Sequence, residues 1–336
     1  MKKNLLYLAV FVSLLILAIW LVKRDRNRTL DPTETSFKVA DTAAVQRIFM
    51  ADRQGGSVLL ERTPAGNWLV NGKYVARPDM MNVLLETFIR MEVKSPVPKG
   101  AMKAVKTNIA TTGIKVEIYS GPQAKKELVY YVGSSTVDTR GTYMIKEDAD
   151  LPYILYIPGW EGYLTPRFFT SQEAWRERVL FRLSPEAVQS IAIQYPDTPA
   201  YNFSIERVSD SSYRLQTATK AEWQPFSSTA AAAIWKDLSL LRVEGFENEV
   251  PIRDSVITMV PPIFKLIITQ KSGKKHTLST YFKSQLNTID VVLIQGFPDL
   301  DRSYFYYEEG DEFGVIQRMN APWLFLKGTE IVERTQ

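Results

Sequence analysis

Apolar and polar positions alternate with period two in several short stretches, and with a helical period in two others. Val58, Leu60 and Arg62 alternate with Leu59 and Glu61, the signature of a half-buried strand. Trp68–Val70, Asn71-Gly72 and Lys73–Val75 read as a hairpin, because Asn-Gly tolerates positive φ at both central positions of a tight turn. Pro78-Asp79 then opens a helix whose apolar face is predicted to be Met80, Val83, Leu84, Phe88 and Met91. A second helix, capped by Ser227 or Ser228, carries Ala231, Ile234, Trp235, Leu238 and Leu241 on one face. Further strands are predicted at 113–120, 127–133 and 141–147, and again at 264–270, 276–282 and 303–309.

These patterns occur twice in the same order. AAVQRIF (43–49) matches EAVQSIA (186–192), with Ala44, Val45, Gln46 and Ile48 against Ala187, Val188, Gln189 and Ile191. VLLER (58–62) then matches FSIER (203–207), and FIRME (88–92) matches LLRVE (240–244). An ordered set of matches points to a duplicated module. Thr170-Ser-Gln-Glu173 is a capping-box pattern that predicts a short connector helix. The organisation expected is an anchor over 1–28, an α+β module over 29–170, a connector helix over 171–178 and a second α+β module over 179–336. Each module is read as a mainly antiparallel sheet with one long helix.

The anchor rests on Leu5–Val22, 18 consecutive residues without a charge, Pro or Gly. At about 1.5 Å per residue such a run nears the thickness of a bilayer core, so the expectation is a single N-terminal transmembrane helix. A cleaved signal peptide would have a shorter apolar region leading to small residues. Here Ile19–Val22 leads into Lys23, Arg24, Arg26 and Arg28. Counting Lys and Arg at the two ends slightly favours a cytoplasmic bulk, whereas a short basic start (Lys2, Lys3) is how a signal anchor begins. The orientation preferred is bulk outward, in the periplasm, with the anchor in the inner membrane.

Charge changes the reading of partners. Of 41 basic and 37 acidic residues, six basic and one acidic lie within residues 1–28, which leaves 35 and 36 for the rest. The remainder is near neutral and lacks the cationic surplus that displaces counterions from nucleic acid, so no nucleic-acid partner is expected.

Composition narrows the chemistry. The chain has no cysteine and one histidine, His276. That removes disulfides, thiolate metal sites and any Ser/His unit not built on His276. No phosphate-binding glycine loop is present, and no cofactor is expected. His276, on a hairpin read over Ser272–Ser279, is expected to be solvated. Carboxylates cluster at Glu147, Asp148 and Asp150, at Asp299 and Asp301, and at Glu308, Glu309, Asp311 and Glu312. They are read as turn residues, with a cation site or a glycosidase pair as the alternatives. Trp68, Trp175 and Trp235 are expected in cores. Trp160, Tyr163 and Trp323, in loop sequence, are the candidate partner or ligand contacts.

The block from Val45 to Met91, and above all YILYIPGW (153–160) followed by SQEAWRERVLFRLSPEAVQSIAI (171–193), resembles the bacterial membrane-anchored family of domain of unknown function 4340. The resemblance covers most of the chain. It implies an association with ABC-type transporter components and transfers no catalytic residue. The function expected is a non-enzymatic, membrane-anchored extracytoplasmic binding or assembly subunit. The alternatives are an envelope polysaccharide hydrolase and a sugar- or small-ligand-binding protein.

Overall fold

The computed structural model of the chain describes residues 35–286, 288–320 and 322–333, together with Val12, Ser13, Leu15 and Trp20. The run Leu5–Val22 otherwise lies outside the described residues. Among the described residues no helix is long and apolar enough to cross a membrane. The expected fold class is therefore corrected. In place of modules with one long helix each, the described residues form two antiparallel nine-stranded sheets with several short helices. The longest helix among the described residues, Lys99–Thr112, has 14 residues and buries only Val105 and Ile109.

The chain divides between Arg176 and Glu177 into two compact units. The first contains β1 (Val45–Ala51), β2 (Ser57–Arg62), β3 (Trp68–Val70), β4 (Tyr74–Val75), β5 (Glu92–Pro96), β6 (Ile114–Ser120), β7 (Lys125–Ser135), β8 (Thr142–Lys146) and β9 (Tyr153–Tyr156). Their order across the sheet is β4-β3-β2-β1-β6-β7-β8-β9-β5. The second contains β10 (Val188–Gln194), β11 (Phe203–Ser209), β12 (Ser212–Thr217), β13 (Lys220–Phe226), β14 (Gly245–Phe246), β15 (Phe264–Gln270), β16 (Lys275–Tyr281), β17 (Arg302–Tyr307) and β18 (Glu312–Gln317). Its order, β13-β12-β11-β10-β15-β16-β17-β18-β14, repeats the first with every strand number advanced by nine.

Two local devices recur with the order. In β1 the pairing with β6 slips by one residue between Val45 and Arg47, and in β10 the pairing with β15 slips between Val188 and Ser190. Each bulge inserts one residue, so Val45 and Ile48, three apart, both face the core, as do Val188 and Ile191. The shared Val-Gln-x-Ile sequence thus carries a bulge. At the end of the second strand, Arg62 donates to the carbonyls of Ala43 and Thr42 and lies 5.0 Å over the Trp68 ring. Arg207 in the same place donates to the carbonyls of Val188 and Pro185 and lies 5.3 Å over Tyr213. Each arginine ties the turn before the first strand of its sheet to the third strand.

The hairpin turn at Asn71-Gly72 has φ of 51° and 66°, both left-handed. Helix Pro78–Arg90 buries Met81, Leu84, Thr87 and Phe88, with Met91 following. Its inner face is rotated from the predicted one, since Val83 is exposed and Thr87 is buried. Thr87 can face inward because its hydroxyl donates to the Val83 carbonyl and accepts from Arg167. In the second unit, Ser227 caps helix Ser228–Ser239 through the amide of Ala230. That helix and the residues after it bury Ala231, Ile234, Trp235, Leu238 and Leu241.

Each sheet also carries a second, smaller core. In the first unit Val97, Val105 and Ile109 pack on Tyr131, Tyr143, Ile145 and Ile154. Gly133 lets this helix come close, because a Cβ there would lie 2.7 Å from Ile109 Cγ1. In the second unit helix Arg253–Met259 contributes Val256 to a cluster with Tyr281, Val292, Tyr304 and Phe313.

The expected connector is a four-residue helix, Gln172–Trp175, which packs into the core of the first unit. Trp175 is fully buried, its indole N–H donates to the Phe169 carbonyl, and its own carbonyl accepts from the Arg77 amide.

Candidate functional site

The residues singled out from sequence separate into three environments. Trp160 and Tyr163 are 37% and 38% exposed. The Trp160 ring lies under the Arg167 guanidinium at 4.4 Å. Gly162, at φ 139°, packs against the ring so closely that a Cβ would sit 2.6 Å from Cη2. Both neighbours limit the ring surface left for a partner and make Trp160 an anchor of its own loop. Trp323 is corrected outright. It is buried in the main core of the second unit, where the segment after β18 folds back onto the helix-bearing face.

His276 is also corrected. β16 begins at Lys275, one residue before the predicted strand, after a turn with Gly273 at φ 85°, and His276 pairs with Ile268 on the core-facing side of the sheet. It is buried; its Nδ1 lies 2.6 Å from the Tyr307 hydroxyl and its Nε2 3.2 Å from the Gln270 amide nitrogen. Phe181 meets the ring edge-on and Tyr307 stacks on it. Burial pushes its pKa below the usual histidine value, with Lys274 adding to the shift and Glu309 opposing it.

The acidic groups are engaged in turns and cross-strand pairs. Glu147 pairs with Lys115 at 3.5 Å, and Asp148 occupies a left-handed turn position at φ 62°. Asp299 accepts from the amides of Asp301 and Arg302. Glu309 accepts from the amide and hydroxyl of Thr277, and Glu312 from the Asn248 side chain. Asp311 pairs with Arg253. Among the described residues no group of three His, Cys, Asp or Glu side chains is arranged to hold a metal ion.

Two features went unread in the sequence. The first is a buried carboxylate, Glu117 of β6, with Lys115 at 2.8 Å, Lys126 at 3.3 Å and the Tyr119 hydroxyl donating to it. Burial pushes this carboxyl up, but Lys115, Tyr119 and Lys126 together outweigh it and bring it to about 2. The Lys-x-Glu-x-Tyr alternation was the available signal, since it places all three side chains on one face of a strand.

The second is the connection between β16 and β17, residues 282–301. It presents Ile294, Phe297 and Leu300 to solvent at 79%, 66% and 76% exposure, with Leu286 and Leu293 also exposed. So many large apolar side chains exposed in one segment depart from the scattered single exposures that are ordinary on a protein surface. The segment is nevertheless tied down. The buried Ser284 hydroxyl donates to the carbonyl of Gly296 at 2.9 Å, the Gln285 amide donates to Phe297 O, and the Asp299 amide to Lys283 O. A five-residue helix, Ile289–Leu293, buries Val292 beneath it. Gln295 and Phe297 hold φ of 51° and 49°. A left-handed backbone costs a non-glycine residue about 1–2 kcal/mol. At Phe297 that strain accompanies an aromatic ring facing water. The segment contains one lysine and three aspartates. Lys283 lies 4.8 Å over the Tyr304 ring, while Asp290 and Asp301 of the same segment are exposed.

No curated protein and no solved structure matches the chain. Residues 68–255, more than half of the chain, match a domain of unknown function, DUF4340. That stretch runs from β3 in the first unit across the unit boundary into helix Arg253–Met259 of the second. The chain belongs to the DUF4340 family.

Proposed function

We propose that this protein is a binding or assembly subunit that acts through protein contacts rather than through a reaction, with residues 282–301 as its principal contact surface. The observation that supports this reading is the combination of exposure and fixation: large apolar side chains face water on a backbone held by the buried Ser284 hydroxyl. Preorganised apolar contacts bind without a large ordering cost. The occupant is a protein segment with apolar side chains flanked by lysine or arginine. The exposed Asp290 and Asp301 would attract such a segment and repel an anionic lipid surface. The transporter components implied by the sequence resemblance are the first partners to test.

The test uses the full chain and two synthetic amphipathic peptides, one with leucines and lysines, the other with glutamates in place of the lysines. The lysine peptide should perturb backbone amide resonances within 282–301, and the glutamate peptide should leave them in place. Ile294→Ser together with Leu300→Ser should weaken the lysine peptide by about tenfold or more, the scale of about 1.4 kcal/mol. Equal binding of both peptides, or perturbation mapping elsewhere, would sink the proposal. Binding of phosphatidylglycerol vesicles through this segment, or self-association abolished by the same substitutions, would replace the occupant and overturn it too.

A further inference from the structure

In the first unit, the sheet face under helix Lys99–Thr112 is only partly covered. Ala51, Lys115, Tyr131 and Ile145 stand in one cross-strand row on β1, β6, β7 and β8. The helix sets Val105 and Ile109 against this face, but its next residue, Ala110, is too small to close the gap over Tyr131 and Ile145. A cavity of about 270 Å³ remains, lined by Arg53, Lys106, Ile109, Ala110, Tyr131 and Ile145. It is near the lower end of the volumes that hold small ligands.

The lining combines two chemistries. Ile109, Ala110, Tyr131 and Ile145 make an apolar floor and wall. Arg53, from the β1–β2 turn, and Lys106, from the helix, supply two cations at the cavity, and neither forms an ion pair among the described residues. Three carboxylates of the adjoining strands and turn have partners of their own. Asp52 accepts from the amides of Gln54 and Gly56 and from the Thr170 hydroxyl. Glu117 is taken by Lys115 and Lys126, and Glu147 by Lys115.

We infer that this cavity is a binding site for a small amphipathic anion, an apolar body carrying one carboxylate. The body would lie on Tyr131 and Ile145 beneath Ala110, and the carboxylate would meet the Arg53 guanidinium and the Lys106 ammonium. A guanidinium offers a carboxylate two parallel hydrogen bonds. The volume excludes a diacyl lipid and fits one short chain or one aromatic ring. In the second unit the corresponding helix, Arg253–Met259, is half as long, and Tyr281 and Tyr304 pack in the cluster beside it. The site therefore belongs to the first copy of the module, and it stands independently of the contact surface at 282–301.

The probes are octanoate, octanol and inorganic phosphate, titrated into the full chain while the amide resonances of Ile109 and Ala110 are followed. Octanoate should bind with a Kd of about 1 mM or tighter. The double variant Arg53→Gln, Lys106→Gln should weaken it about tenfold or more and leave octanol unaffected. Both side chains are exposed, so the fold should tolerate the change. Ala110→Trp, also at an exposed position, should fill the cavity and abolish binding. The inference fails if octanol binds as tightly as octanoate, since no anion is then recognised. It fails if phosphate matches octanoate, since the apolar wall is then idle. It also fails if Ala110→Trp binds normally or octanoate does not bind.

Discussion

The two sheets share a strand order and part company at their connections. Between β7 and β8 the first unit uses six residues, 136–141, with Val137 at the turn; between β16 and β17 the second uses residues 282–301 and a helix. The helix over the second face has 14 residues in the first unit and seven in the second. The outer edge is the two-residue β4 in one and the seven-residue β13 in the other. What the copies keep is what holds the sheet: the bulge in the central strand, the arginine that ties the turn before it, and the helix on the main core. What they vary lies where sheets tolerate insertion and where binding surfaces arise. Duplication here supplied one frame and two different sets of accessories.

Core substitutions should have the largest effect and fall within one copy. Trp175→Ala and Trp235→Ala should each cost about 3–5 kcal/mol. Hydrogen exchange should show protection lost first in the sheet that holds the altered residue; equal loss in both sheets would break the picture of separate cores. The tying arginines come next. Arg62→Ala and Arg207→Ala should each cost about 1.5–3 kcal/mol, the scale of hydrogen bonds to a charged group. Urea denaturation should show the larger loss for Arg207, which is buried at 9% exposure.

Glu117 marks a difference between copies that pH can read. Its folded pKa of about 2 lies below the ordinary 4.5, so its stabilisation is present above about pH 4.5 and is lost as pH falls toward 2. Glu117→Gln should flatten the stability profile in that window for the first sheet and leave the second unchanged. His276 gives the counterpart in the second sheet. Its pKa is lowered, so the neutral ring's contribution is intact above about 6.5 and falls away as pH drops below that value. As the chain's one histidine, it can be followed by proton NMR, and a midpoint above 6.5 would contradict its burial. The smallest effect is at Phe297. Phe297→Gly relieves a left-handed backbone, so stability should hold or rise by about 1 kcal/mol while binding of the lysine peptide falls.

Much of the sheet was legible because its signals are local. The Asn71-Gly72 turn, the strand 264–270 and the inner face of helix Ser228–Ser239 each depend on a few adjacent residues. The second helices were missed because Lys99–Thr112 and Arg253–Met259 bury one or two apolar residues each, too few for a period to stand out. His276 was misread as solvated because the polar run Ser272-Gly-Lys-Lys before it suggests an exposed hairpin end and does not reveal which face of the strand the ring takes. In paired register His276 takes the place that Leu128 holds in the first sheet, so it faces the core. Trp323 was misread because a loop's burial depends on what it folds against, and the core it joins is built from strands as far away in sequence as those of Phe203 and Phe264. Neither candidate site was legible. The apolar wall of the cavity comes from three separate elements, and residues 286–300 look like any half-buried stretch until the sheet leaves them outside.

The repeated strand order has a consequence for assembly. β1 and β10 share the Val-Gln-x-Ile sequence and the same bulge, so a folding chain can lay either against β6 or β15. The two central strands differ in what they offer beside the shared isoleucines. Phe49 stands opposite Glu117, and Ala192 opposite Ile267. In the crossed arrangement Ala192 would be set against the charged Glu117 and Phe49 against Ile267. The Glu117 cluster on β6 would also lose Arg47, which β1 sets 5.8 Å over the ring of Tyr119. A charged residue in one copy and an apolar one in the other thus act as a label, biasing each half of the nascent chain toward its own partner and away from the cross-paired trap that tandem domains face.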